Sequence, residues 1–251
     1  MKRVFITGAS SGIGAALALF YARRGDQVAL LGRRLDALQA VRDSLPGQHE
    51  IYVADVRDRA ALHAAARDFL QRGPVDIVIA SAGISAGTLT EETEDFQVFE
   101  AIVATNLNAT VATFEPFIAS MKQRGQGRLV GIASVAAVRG LPGAGAYSAS
   151  KAGVRVYCES LRVELSQTGV KVVTIAPGFI QTPMTAHNPY KMPFLMPVDR
   201  FAEKAAGAIE KGVSYKVFPW QMACVARLLR LVPDSVYDYF AVRRKRKPRL
   251  H

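Results

Sequence analysis

The stretch Thr7-Gly8-Ala9-Ser10-Ser11-Gly12-Ile13-Gly14 decides the fold of this 251-residue chain. It follows an apolar run at residues 4–7 and opens a segment of helical periodicity at residues 13–24. Glycines at such a junction allow a tight turn, a close approach of the backbone to a pyrophosphate, and packing of helix on strand. The helix N-terminus adds free N–H groups and the positive end of its dipole. The turn, spaced G-x-x-x-G-x-G, therefore predicts a dinucleotide-binding site.

Short apolar runs and amphipathic stretches alternate outward from this turn. They predict strands at residues 4–7, 28–31, 51–54, 77–80, 128–133 and 170–176, and helices at residues 13–24, 35–45, 59–71, 96–121 and 147–167. The strands lack polar alternation, which is typical of a parallel sheet buried on both faces. Strand–helix alternation predicts an α/β, doubly wound parallel-sheet Rossmann fold. We expect one such domain at residues 1–219, followed by an amphipathic helical extension and basic tail at residues 220–251.

Composition limits the class of protein. Half of the residues are apolar, which is enough for a sizeable core. Cys158 and Cys224 form no C-x-x-C or metal-ligand pattern, so we expect no metal and a reducing, cytoplasmic environment. The apolar run after Lys2 and Arg3 is too short for a signal peptide, and no stretch approaches the roughly 20 apolar residues of a membrane span.

The net charge of +11 is concentrated at the C-terminus. The tail at residues 243–251 has no acidic residue and holds Arg243, Arg244, Lys245, Arg246, Lys247 and Arg249. Without these six, 26 basic residues face 21 acidic ones, so the body is only modestly basic. The whole-chain charge is therefore not interpreted as a nucleic-acid footprint, and no nucleic-acid partner is expected.

The end of the second predicted strand discriminates between cofactors. A site for NADH would place an acid here to bind the ribose hydroxyls, whereas this chain has Gly32-Arg33-Arg34. Arginine pairs with a 2′-phosphate, so we predict a preference for NADP(H), with NAD(H) possible and Arg33 as the main contact. The alternative is that both arginines form a solvated helix start. Asp55, after the third strand, can bind the adenine amino group or cap the next helix.

Tyr147 and Lys151 lie four residues apart in a helical segment and so share one face. The ordinary pKa of a tyrosine, about 10, is too high for an efficient base at neutral pH, and a nearby ammonium would lower it. Ser134, at the end of a strand, can hydrogen-bond the same substrate oxygen. Alone, a tyrosine and a lysine at this spacing usually form an ordinary helix face. They indicate a catalytic site only in combination with the other motifs of the chain.

That combination resembles the short-chain dehydrogenase/reductase family over about residues 3–220. The resemblance is carried by the 7–14 turn, Asp55-Val56, Asn106, Ser134, Tyr147-Ser148-Ala149-Ser150-Lys151, and Pro177-Gly178 followed by Thr182. It implies a seven-stranded single-domain fold, a homodimer or homotetramer, and a catalytic tetrad of Asn106, Ser134, Tyr147 and Lys151. In the family mechanism Tyr147 is the acid/base, Ser134 orients the substrate oxygen, Lys151 binds the nicotinamide ribose and lowers the tyrosine pKa, and Asn106 supports a relay water.

The cofactor contacts follow from the turn, from the arginines and from this resemblance. They are Gly8, Ser10, Ser11, Gly12, Ile13, Gly14, Arg33, Arg34, Asp55, Val56, Ser81, Ala82, Gly83, Tyr147, Lys151, Pro177, Gly178, Ile180 and Thr182. After the fourth strand the family usually has Asn-Ala-Gly, whereas this chain has Ser81-Ala82-Gly83. The serine side chain is shorter than that of asparagine, which puts the local stability of the sheet in question. Asn108 is an alternative to Asn106, which we prefer for its spacing to Ser134.

The segment between Thr182 and Val198 corresponds to the substrate lid of the family. It is rich in methionine, aromatic residues and proline, including Met184, Tyr190, Met192, Phe194, Leu195 and Met196. Such side chains make an adaptable apolar wall, which predicts a hydrophobic ketone or secondary alcohol as substrate, with lipid-like compounds among the candidates. The alternative is that they only pack the lid onto the body. The leading function is NADPH-dependent carbonyl reduction; alternatives are an NAD-dependent alcohol dehydrogenase and a non-catalytic dinucleotide sensor.

Residues 220–242 show amphipathic helical spacing interrupted by Pro233, and the basic tail follows. An amphipathic segment beside a cationic cluster can bind an anionic membrane surface, so a peripheral membrane contact is one hypothesis. One alternative is that the helix packs in a dimer and the tail is solvated. Another is that this segment binds a different partner.

Overall fold

The computed structural model describes residues 1–186, 188–243 and 246–249. Seven parallel strands form one sheet in the order β3-β2-β1-β4-β5-β6-β7. They are β1 Arg3–Thr7, β2 Gln27–Gly32, β3 Glu50–Val53, β4 Ile77–Ala80, β5 Gly127–Ile132, β6 Val170–Pro177 and β7 Tyr215–Phe218. The predicted doubly wound α/β fold is confirmed, and each of the six predicted strands lies within one residue of its expected start and end.

Helices cover both faces of the sheet. Their bounds are α1 Gly12–Arg23, α2 Leu35–Asp43, α3 Arg59–Gln71, α4 Asp95–Val103, α5 Ala109–Arg124, α6 Gly145–Glu164, α7 Val198–Glu210, α8 Trp220–Leu231 and α9 Asp234–Ala241. Two large apolar clusters form the core, one on each face, because side chains alternate across buried strands. Phe5 and Val4 of β1, adjacent in sequence, enter opposite clusters.

The chain reverses its direction of winding at β1. From β1 the sheet runs through β2 to β3 on one side and through β4 to β7 on the other. Crossovers on the two sides lie on opposite faces, so a crevice opens beyond the carboxyl ends of β1 and β4, where ligands bind in such sheets. The glycine-rich turn after β1 and the Ser81-Ala82-Gly83 segment after β4 both lie at this crevice.

Three segments differ from the sequence-based expectation. The helix predicted at 96–121 is two helices, α4 and α5, joined by a π-helical segment at Ala104–Asn108. Helix α7 and strand β7 were not placed by the sequence. The C-terminal helix breaks at Pro233 as predicted, giving α8 and α9.

The basic tail is partly packed on the body. Lys247 and Arg249 contact body residues, so the alternative of a solvated tail is wrong for these two. Arg244 and Lys245 lie outside the described residues.

Candidate active site

The glycine-rich turn closely approaches the segment that follows β4. Gly8 has a φ of +67°, and a Cβ atom there would lie 2.7 Å from the Cα of Ala82. A Cβ at Gly14 would lie 2.3 Å from the carbonyl oxygen of Gly8. Helix α1 begins at Gly12, and Ser11 gives its first turn no side-chain cap. The first-turn N–H groups are therefore open to an anion, which fits the pyrophosphate of a dinucleotide.

One cavity of about 300 Å³ collects the predicted cofactor residues. All nineteen predicted cofactor contacts line it, as does Ser134, whereas Asn106 does not. Further lining residues, which sequence reasoning did not name as cofactor contacts, are Gly32, Ala54, Ile84, Thr105, Ile132, Ala133, Pro183, Met184 and Thr185. Most of these neighbour a predicted residue in the chain, so their signal was position beside a motif.

Two arginines and an aspartate mark the end of the cavity beside β2. The Arg33 side chain is 61% exposed and its Nη1 lies 3.9 Å from Asp55 Oδ2. Arg34 Nη2 lies 3.5 Å from the hydroxyl of Ser10. Neither arginine is engaged in a short contact in these pairs, so both guanidinium groups can reorient towards a phosphate.

Asp55 is held by its neighbour Arg57. Arg57 donates hydrogen bonds to it from its backbone N–H over 2.9 Å and from Nη2 over 2.7 Å. These hydrogen bonds hold the pKa of Asp55 below its ordinary value. The alternative role of Asp55 as a helix cap is wrong, because Asp58 caps α3 by accepting from the N–H of Ala61.

Ser134 follows the end of β5. Its Oγ accepts a hydrogen bond of 3.1 Å from the N–H of Ala136 and caps a single 3₁₀ turn at Val135–Ala137. This bond fixes the side-chain rotamer, and the hydroxyl hydrogen stays available to a second acceptor. The serine is buried and lines the cavity beside Tyr147.

Tyr147 lies in the first turn of α6 and reaches the cavity. Burial raises its pKa above the ordinary value of about 10, while the Ser134 hydroxyl acts in the opposite direction and Tyr190 adds to the rise. The expectation of a lowered tyrosine pKa is therefore wrong for this structure, because desolvation outweighs the stabilisation of the phenolate. A raised pKa keeps the phenol protonated, which is the form that can donate a proton.

Lys151 is buried one helical turn after Tyr147. Its Nζ donates a hydrogen bond of 2.8 Å to the carbonyl oxygen of Ile132 and lies 6.0 Å from the centre of the Tyr147 ring. Burial lowers the pKa of Lys151 to about 8. A Cβ at Gly83 would lie 3.4 Å from this Nζ and 3.2 Å from Asn106 Oδ1, so the chain after β4 passes close to both side chains.

Asn106 lies within the π-helical segment and is fully buried. Its Oδ1 accepts from the N–H of Ile84 at 2.8 Å, and its Nδ2 donates to the Ile84 carbonyl and to Ser150 Oγ, both at 3.0 Å. The amide thus ties the chain after β4 to helix α6. Asn108, the alternative, is exposed and does not line the cavity.

Ser81 keeps the segment after β4 joined to β1. The N–H groups of Ser81 and Ala82 lie 3.2 and 3.4 Å from Thr7 Oγ1, which accepts from both. The connection is therefore made by a threonine hydroxyl and the backbone, and it does not depend on the residue 81 side chain.

The lid segment divides into an inner and an outer part. Met184 lines the cavity, and Met196 is buried against the body through a bridge to Ile180. Phe194 and Leu195 are largely exposed, and the Tyr190 ring lies 6.3 Å from that of Phe179. Some of the predicted apolar residues therefore pack the lid onto the body, and Met184 faces the cavity.

Comparisons with known proteins agree with this geometry. The family model described as short chain dehydrogenase matches residues 2–192. An uncharacterised oxidoreductase of Myxococcus xanthus is 39% identical over 250 residues, covering 96% of this chain and 97% of the relative.

Solved structures give the same result. A short-chain dehydrogenase from Streptomyces avermitilis has a TM-score of 0.82 at 26% identity and covers 95% of each chain. An alcohol dehydrogenase from the archaeon Thermococcus sibiricus, complexed with 5-hydroxy-NADP, has a TM-score of 0.77 at 27% identity, covering 87% of this chain and 95% of the other. The chain belongs to the short-chain dehydrogenase family, the NAD(P)-binding oxidoreductases that act on CH–OH groups.

Proposed function

We propose that this protein reduces the carbonyl of a hydrophobic ketone with NADPH, or oxidises the corresponding alcohol in the reverse direction. The observation that carries the proposal is one cavity lined by the glycine-rich turn, Arg33, Ser134, Tyr147 and Lys151. It joins a phosphate-binding end to a proton-donating end. The bound nicotinamide supplies the hydride.

Each residue then has a role at the substrate oxygen. Tyr147 Oη donates its proton to that oxygen as the carbonyl carbon becomes an alcohol carbon. Burial raises the pKa of Tyr147, so the phenol keeps the proton that it donates in this step. Ser134 donates a hydrogen bond to the same oxygen, with its rotamer fixed by Ala136.

Lys151 and Asn106 act beside the reacting atoms. Lys151 is oriented by Ile132 and contributes an ammonium to the nicotinamide ribose side of the cavity. Asn106 is a positioning residue, because its amide bonds Ile84 and Ser150 and the residue does not line the cavity.

The preference for NADPH rests on Arg33 and Arg34. Their guanidinium groups flank the cavity after β2, where an acid would repel a 2′-phosphate. The Thermococcus sibiricus relative, complexed with 5-hydroxy-NADP, supports the same choice. An NAD-dependent alcohol dehydrogenase is the second candidate, and a non-catalytic sensor is disfavoured because the proton-transfer residues are all present.

The substrate class rests on the apolar side of the site. Met184 and Ile84 line the same cavity as Tyr147, and Phe194 and Leu195 are exposed on the lid nearby in sequence. Flexible and branched apolar side chains accommodate a bulky hydrocarbon group.

Two kinds of contact are proposed for the surface. Exposed Phe96, Phe99, Val156 and Val163 on α4 and α6 support a homodimer or homotetramer. A peripheral contact with an anionic membrane is supported on α8 and α9, where large apolar side chains and arginines are exposed together. These are Trp220, Arg227, Leu228, Arg230, Leu231, Tyr239, Phe240 and Val242. None of the described helices is long and apolar enough to cross a membrane.

A panel of ketones and alcohols tests the proposal. The panel runs from small to long-chain and polycyclic compounds, and oxidation of NADPH or NADH is followed by absorbance. We expect turnover of bulky apolar ketones with NADPH. Turnover only with NADH would favour the second candidate, and no turnover with any ketone or alcohol would contradict the proposed function.

A further inference from the structure

Residues 246–249 lie along the loop that follows β4, and we name them the C-terminal strap. The N–H of Gly87 donates a hydrogen bond of 2.8 Å to the carbonyl oxygen of Pro248, and Gly87 pairs with Arg249 in a parallel bridge. On the other side of this loop, the N–H of Thr88 donates to the Gly143 carbonyl at 3.0 Å. Backbone hydrogen bonds therefore connect the strap to residues 87 and 88, and connect these to residue 143, four positions before Tyr147.

Backbone packing between strap and loop requires glycine. A Cβ at Gly87 would lie 2.3 Å from the Lys247 carbonyl oxygen and 2.8 Å from that of Pro248. A Cβ at Gly143 would lie 3.0 Å from the Cβ of Arg246. The loop at Gly87 can thus accept the strap only because it lacks a side chain there, whereas a side chain at residue 143 would push against Arg246.

Two ion pairs of Arg249 and a hydrogen bond of Lys247 hold the strap to the body. Arg249 Nε lies 2.9 Å from Asp95 Oδ2, and its Nη2 lies 3.2 Å from Glu92 Oε2. Asp95 is nearly fully buried at the start of α4, so this pair is shielded more than a surface ion pair. Lys247 Nζ donates to Ser85 Oγ at 2.8 Å.

The loop under the strap leads directly to the candidate active site. Ile84 lines the cavity and holds the Asn106 amide through its backbone. Ala86 packs in a small buried cluster with Ile102 and Ala146, and Ala146 immediately precedes Tyr147. A shift of the loop would therefore reach both Ile84 and the start of α6.

We propose that the strap positions the substrate-facing wall at Ile84 by holding the loop at residues 84–88 against residues 143–146, with Arg249 as its positioning residue. The proposal rests on the proposed carbonyl reduction. Docking of the strap holds these residues in place for the substrate. The described strap residues do not line the phosphate-binding end of the cavity. Loss of docking therefore affects ketone binding and leaves cofactor binding unchanged.

Gly87→Ala in the full-length protein tests docking directly. Gly87 does not have a positive φ, so alanine strains the contact with the strap and not its own backbone. We expect KM for a bulky ketone to rise roughly tenfold, equal to about 1.4 kcal/mol, with kcat and NADPH affinity within about twofold of the original. Gly140→Ala is the matched control, because a Cβ there meets nothing within 4 Å.

Arg249→Gln tests the same role without altering the loop. It should raise KM by a smaller factor than Gly87→Ala does. Arg249→Lys should raise KM less than Arg249→Gln, because lysine keeps the positive charge next to Asp95. A change in kcat with unchanged KM in both Gly87→Ala and Arg249→Gln would overturn the proposal.

Hydrogen exchange measured by mass spectrometry supplies a readout independent of activity. In Gly87→Ala the amides of residues 87, 88 and 144 should exchange faster than in the original protein, while Gly140→Ala should leave residues 87 and 88 unchanged. Unchanged exchange at residue 87 would show that the strap does not dock on the loop. Faster exchange confined to residue 87 would show that the strap docks but does not position the neighbouring residues. If the original protein turns over no ketone, the proposed function fails while the exchange comparison still decides whether the strap holds the loops.

Discussion

Lys151 Nζ donates a hydrogen bond to the carbonyl oxygen of Ile132 over 2.8 Å, which places a buried ammonium at the carboxyl end of β5. The same strand leads to Ser134, and the same helix carries Tyr147 one turn earlier. The sheet and α6 thus bring together a hydroxyl, a phenol and an ammonium that are up to 17 residues apart in sequence.

Tyr147→Phe should lower kcat by roughly 10²- to 10⁴-fold, because it removes the proton donor while keeping the ring. NADPH affinity, measured by fluorescence titration, should stay within a few-fold of the original. Tyr157→Phe is the matched control, since Tyr157 is also on α6 but stacks on Phe114 in the core cluster. Substantial turnover by Tyr147→Phe would refute the assignment of the proton donor.

Arg33→Ala should weaken NADPH binding by about 10- to 100-fold, the effect of losing a charge-assisted contact to a phosphate. NADH binding should change little, because NADH has no 2′-phosphate. Calorimetric titration with both cofactors measures the difference, and Arg42→Ala on α2 is a control for the loss of one positive charge. Equal weakening of both cofactors would show that Arg33 is not the phosphate contact.

Lys151→Met should change how stability depends on pH. Burial lowers the pKa of Lys151 from 10.5 to about 8, so the unfolded chain binds more protons than the folded protein between these values. The desolvation penalty is fully present below about pH 8 and disappears as pH rises towards 10.5. The original protein should therefore gain about 2 kcal/mol relative to Lys151→Met between pH 7.5 and 10.

Urea unfolding of both proteins at the two pH values measures this gain, and Lys171→Met, at an exposed lysine of β6, is the control for removing one lysine. A pH-independent difference between the original protein and Lys151→Met would mean that Lys151 titrates normally.

The double variant Leu231→Gln with Phe240→Gln should reduce flotation with anionic liposomes. Both side chains are exposed, Leu231 directly after Arg230 of α8 and Phe240 on α9, and each variant would lose favourable apolar burial at the lipid interface. Val163→Gln on α6 is the control for an exposed apolar residue outside the C-terminal helices. Equal flotation of all three proteins would remove the proposed membrane face.

The strands that carry the site were predictable because apolar residues dominate each of the first six. Strand β7 was not, since Tyr215 and Lys216 are exposed and only Val217 and Phe218 are buried at its end. Helix α7 does carry a signal, because Phe201, Ala205 and Ile209 recur at helical spacing and are buried.

The residues of the candidate site were predictable because the glycine-rich turn and the Tyr–Lys spacing are local patterns. The direction of the Tyr147 pKa was not, because it depends on burial that only the folded chain reveals. Docking of the strap was equally hidden, since Gly87 and Pro248 are 161 positions apart and their contact is between backbones.

The geometry of the site depends on how many residues the π-helical segment at Ala104–Asn108 contains, and not only on which residues they are. Each residue turns an α-helix by about 100°, so deleting one residue here would restore a regular helix and rotate α4 by that angle relative to α5. Ile102 would then leave the cluster beside Ala146 while Phe117 stayed in the core. Substitutions on the exposed face of this region are compatible with the site, whereas a change of length by a single residue is not.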